Sequence, residues 1–130
     1  MLKNGKTGSP AFSFLIVSAI TCIVAACVVS TATGPFGYER LQGHWFVDNA
    51  NYPGKIEFHW DGQGWRGRIW IDHYARWEEL TEIVFDPRTG ELRFFRPAFH
   101  SPYTGTLSGD QIVGSFVYQG ISYPWRASRR

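Results

Sequence analysis

The chain has 130 residues, of which 44% are hydrophobic and 17% aromatic, which suits one small domain with a ring-filled core. Its net charge of +2 comes from Lys3 and Lys6, because the 11 acidic and the remaining 11 basic residues all lie from Glu39 onward and cancel. A neutral segment 38–130 has no electrostatic footprint for nucleic acid, so DNA and RNA are excluded as expected partners.

Residues 1–11 carry Lys3 and Lys6 and no acid, and FSFLIVSAITCIVAA at 12–26 is apolar apart from Ser and Thr. A charged head, an apolar run and small residues make a secretory signal. At its end stands Val24-Ala25-Ala26-Cys27. This resembles the bacterial lipobox, which implies lipidation of Cys27 and cleavage before it. Residues 1–26 are then a lipoprotein signal peptide, 27–37 a Gly/Pro-punctuated tether, and the protein an exported lipoprotein on the membrane of the cell envelope. A plain signal cut near Ala32 or an uncleaved apolar anchor would fit the same run. If Cys27 is lipidated, Cys22 leaves with the signal, no disulfide is available, and the domain stands on its core.

Hairpins follow. LQGHWFVD at 41–48 is the expected first strand, with Leu41, Trp45 and Val47 inward. DGQG at 61–64 joins two strands and sets Trp60 opposite Trp65, Phe58 opposite Gly67 and Ile56 opposite Ile69. Outside, Glu57 faces Arg68 and Lys55 faces Trp70, both favourable pairs. DHYARWEE at 72–79 has room for one helical turn. PRTG at 87–90 sets Phe85 opposite Leu92 and Ile83 opposite Phe94. Gly109-Asp110 and Gln119-Gly120 are two-residue turns in mutually consistent register. They put Trp125 across Gly114 and Gly105, where two absent side chains make room for one indole. The expected fold is all-β, an eight-stranded antiparallel up-and-down meander closing into a small barrel over 38–130. Pro124 has no N–H to give strand one, so the last/first seam is expected to be open or irregular there.

Gly43-His44-Trp45 on the first strand, with Arg126, Arg129 and Arg130 at the end, resembles the Gly-x-Trp start of the calycins. In that family a late arginine packs on the tryptophan. The run Tyr103 to Arg129 is similar to the lipocalin-like meander of secreted bacterial proteins. The resemblance implies a calycin-like barrel and no catalytic residues.

The histidines at 44, 59, 73 and 100 lack metal-ligand spacing, and no Gly-x-Ser-x-Gly elbow occurs. No metal, no cofactor and no enzymatic activity are expected. Glu78, Glu79 and Glu82 read as a solvated face. Eleven inward rings read as a filled core, with any pocket at one mouth beside Gly43 or Gly67 and under 72–79 or 97–102. Phe46, Trp70 and Phe95 point outward and are the candidate contacts for a partner or ligand. The expected function is a lipid-anchored, non-catalytic interaction or structural module. The alternative is a calycin-type carrier of a small apolar or sugar ligand, favoured by a cavity open at one barrel end.

Overall fold

Each hairpin turn fixes the register of the strands it joins, and eight such strands close on themselves. The computed structural model describes residues 35–130. The strands are β1 (Gly43–Asn49), β2 (Tyr52–Trp60), β3 (Trp65–Ile71), β4 (Arg76–Phe85), β5 (Glu91–Arg96), β6 (Ser101–Ser108), β7 (Gln111–Tyr118) and β8 (Ile121–Arg129). Short 3-10 turns lie at Tyr38–Arg40 and Pro97–Phe99. The order β1 to β8 runs unbroken round a closed antiparallel barrel, an up-and-down meander. Cys27 and the segments 1–26 and 27–34 lie outside the described residues.

Most expected pairings are present. Trp60 is opposite Trp65 and Ile56 opposite Ile69. Gly105 is opposite Gly114, which is opposite Trp125. A β-carbon on Gly105 would come within 3.0 Å of the Trp125 ring, and one on Gly114 within 1.9 Å of the Thr104 carbonyl oxygen. Gly105 therefore makes room for the indole as expected, whereas Gly114 serves the close approach of the Thr104 and Gly105 backbone instead.

Three expectations need correction. Ile83 is not opposite Phe94, because a bulge between Thr81 and Val84 shifts the register. Glu82 sits there at φ 54°, in the left-handed region. Second, 72–79 holds no helix. Tyr74 and Ala75 donate to the Ile71 carbonyl, Ala75 turns left-handed at φ 52°, and β4 starts at Arg76. Third, the first strand starts at Gly43 instead of Leu41.

The seam between β8 and β1 is paired one to one from Trp45–Arg129 to Asn49–Trp125. The ladder ends one residue short of Pro124, whose carbonyl accepts a bond from the Ala50 N–H at 3.0 Å. Ala50 and Asn51 then turn away at φ 52° and 75°.

The two ends of the barrel differ. At the end bearing the 61–64 and 86–90 connections, Tyr38 packs on Trp60 and Trp65 at 4.7 and 4.9 Å, and Trp65 meets Phe85 edge-on at 6.2 Å. Fully buried Leu41 offers its carbonyl to the Trp45 indole N–H at 2.9 Å. Gly67, held open in the expectation, is filled by Ile83, whose Cδ1 lies 2.9 Å from where a β-carbon would be. This end is plugged.

Candidate ligand-binding site

The opposite end is open. It carries the β1–β2, β3–β4, β5–β6 and β7–β8 connections, and it holds a cavity of about 300 Å³. The lining includes Asn49 from β1, Arg96 from β5, Ser101 and Tyr103 from β6, Phe116 from β7 and Tyr123 from β8. Tyr74 and Phe99, from the connections, join Tyr52 and Tyr118 in the wall. The cavity lies under the 72–75 and 97–100 turns as expected, but beside Ala50 rather than Gly43 or Gly67. The Arg129 guanidinium occupies the space over Gly43.

A polar network crosses the floor. Arg96 is 2% exposed and Glu78 is 7% exposed. Arg96 donates through Nε and Nη2 to the two Glu78 oxygens at 2.6 and 3.0 Å. Its Nη1 reaches the Tyr103 hydroxyl at 3.3 Å, and that hydroxyl donates to Asn49 Oδ1 at 2.8 Å. Phe99 covers the guanidinium face at 4.1 Å. A buried arginine is tolerable only when its charge is matched, and here Glu78 matches it while each of the three guanidinium nitrogens donates one bond. Burial works against the charge on Arg96, but the bonds to Glu78 and Tyr103 outweigh it and raise its pKa. Burial raises that of Tyr103, against the opposing pull of Arg96.

Sequence reasoning placed Tyr103 inward and missed Glu78, which stands here as a correction to the solvated face. The bulge is the reason. Counting back from inward Phe85 and Ile83 in steps of two puts Glu78 outside. One extra residue at Glu82 reverses the parity, so Glu78 and Leu80 are buried while Trp77 and Glu79 face out. Arg96 continues the inward alternation of Leu92 and Phe94 and was legible.

Above this floor, Phe94, Tyr103, Phe116 and Tyr123 are successive partners across β5, β6, β7 and β8. Their rings stack at 4.7, 4.7 and 5.5 Å with interplanar angles of 16°, 12° and 25°. The stack ends at half-buried Tyr123.

The outward candidates do not come together. Phe46 is 56% exposed, with Arg130 5.3 Å over its ring. Trp70 is half-buried, edge-on to Trp77 at 5.7 Å, with Lys55 over it at 5.3 Å and its N–H on Asp72 at 3.1 Å. Lys55 is the cross-strand partner of both. Phe95 lies apart, opposite Thr81 and Pro102, and packs on His100 at 6.1 Å. Of the three late arginines, Arg129 lies over Trp45 at 4.0 Å. It also bonds the Gln42 and Arg40 carbonyls. Among the described residues no three His, Cys, Asp or Glu side chains gather as metal ligands. No family model matches this chain, and neither a curated protein nor a solved structure matches it.

Proposed function

We propose that the protein is a small-ligand-binding barrel, exported and held at the cell envelope by lipid on Cys27. The observation that carries the binding reading is the cavity of about 300 Å³ at one barrel end, whose wall is mostly aromatic. That size and lining suit a small, largely apolar molecule. The reading is non-catalytic: both Glu78 oxygens are engaged by Arg96, which leaves no free base on the floor. Kinship with the lipocalin-like barrels is part of the proposal, and the Arg129–Trp45 contact supports it. A protein-interaction role through Phe46, Trp70 and Phe95 has less behind it, because two flank Lys55 and the third stands on another part of the wall.

The binding reading is tested by titrating the soluble domain with N-phenyl-1-naphthylamine and with decan-1-ol. Saturable one-to-one binding of either is expected. Ser101→Phe, which puts a ring into the cavity wall, should abolish it while the far-ultraviolet circular dichroism stays unchanged. Absence of saturable binding by both probes, or binding indifferent to a folded Ser101→Phe variant, overturns the reading. The anchor is tested separately: wild type should incorporate labelled palmitate and Cys27→Ser should not.

A further inference from the structure

Resting on the binding reading, we infer that the cavity selects an uncharged, flat aromatic or conjugated ligand, which lies against Tyr123 as a fifth ring on the stack. The first observation is where the stack stops. Phe94, Tyr103, Phe116 and Tyr123 form a near-parallel column across four strands. The seam register places Asn51 opposite Tyr123, two residues beyond the Asn49–Trp125 pair. At that position the chain has turned away through left-handed Ala50 and Asn51, and Asn51 is exposed. Tyr123 stacks on Phe116 alone among the described rings, and it lines the cavity. The column therefore presents an aromatic face where a strand-borne ring would otherwise continue it. Flat π-systems prefer such offset stacking to a saturated surface.

The second observation concerns charge. The buried ions of the floor are Arg96 and Glu78, and they neutralise each other through two bonds. Nη1 of Arg96 gives one bond to the Tyr103 hydroxyl, and the Phe99 ring covers the guanidinium face. Arg76 approaches Glu78 at 3.5 Å, but its side chain is 55% exposed and its charge is screened by water. An ionised ligand would lose its hydration without meeting a free counter-charge. Asn49 also lines the cavity and bonds through Oδ1 to Tyr103, while Nδ2 donates to no other described residue. Its amide N–H can serve an acceptor on the ligand.

Three probes of one skeleton separate these claims: 2-naphthol, which is flat and neutral, decahydro-2-naphthol, which is saturated, and 2-naphthoate, which is flat and anionic. Calorimetric titration should show 2-naphthol binding roughly three- to tenfold tighter than the saturated alcohol. It should bind at least about tenfold tighter than the carboxylate. Tyr123→Leu should bring the naphthol-to-decahydronaphthol ratio close to one. Equal affinity for the two alcohols, or a ratio unchanged in Tyr123→Leu, overturns the stacking claim. Equal or tighter binding of the carboxylate overturns the neutrality claim. Either result leaves the binding reading intact. If decan-1-ol binds and none of the three probes does, the inference alone falls. If nothing binds, both fall.

Discussion

The two poles of this barrel use the same residue types for opposite ends. The plugged pole gathers Tyr38, Trp60, Trp65 and Phe85 in edge-on and tilted contacts, with Trp45 held between Leu41 and Arg129. The open pole spreads its rings round a cavity and puts an ion pair beneath them. Edge-on rings interlock and leave little volume, whereas parallel rings form a wall with a free face. The free aromatic face at the open pole belongs to the Phe94–Tyr123 column, while Tyr74 and Phe99 in the connections meet edge-on.

That contrast can be broken in order of effect. Trp45→Ala empties a fully buried site at the plugged pole and should cost about 3–5 kcal/mol in urea melts. A loss under about 1.5 kcal/mol would mean that this pole is not where stability resides.

At the open pole, Glu78→Leu strands the Arg96 charge. It should cost about 3 kcal/mol, the low end for a broken buried pair, because water can enter the cavity. Adding Arg96→Met to it should recover most of that loss. If the double variant is no more stable than Glu78→Leu, the ion pair is not self-contained and the Tyr103–Asn49 branch carries stability of its own.

Between the poles, Gly114→Ala pushes a methyl at the Thr104 carbonyl and should cost about 1–3 kcal/mol. Ser122→Thr, exposed on the next strand, should stay within about 0.5 kcal/mol. Similar losses in both variants would mean a slipped register.

The outer wall supplies a small, pH-dependent effect. Burial pushes the Glu57 carboxyl up, but Arg68 at 2.9 Å and His44 at 3.1 Å outweigh it and hold its pKa below the ordinary carboxylate value. A depressed folded pKa contributes stability above the unfolded value and loses it as the pH falls through the folded one. Glu57→Gln should therefore cost no more than about 1 kcal/mol at neutral pH. The gap between wild type and variant should close under acid. A gap that persists at acid pH would assign the effect to packing instead.

The wall of this barrel was more legible than its interior. Alternation and turn chemistry are local, so Trp60–Trp65, Phe85–Leu92 and Tyr118–Ile121 could be paired from their connecting residues. The bulge at Glu82 puts a non-glycine residue at positive φ, and no turn residue in the sequence announces it. Its cost to the reading was the parity of β4, and with it Glu78. Arg96 obeys the period but violates the apolar rule, so only its buried partner explains it. The cavity itself arises where β1 turns off the seam at Ala50, a consequence of closure that no single strand encodes.

A closed sheet hides its hydrogen-bonding rim, except where a ladder stops early. Here the run from Ile121 to Pro124 extends past the last seam pair, and within it the even-numbered residues turn their backbone groups toward the seam. Of these, Pro124 has no N–H, and its carbonyl is already taken by Ala50. Ser122 is left as a lone docking point. One residue is too short a template for a foreign strand, so the proline that withholds a donor just past the last seam pair also guards the molecule against edge-to-edge assembly.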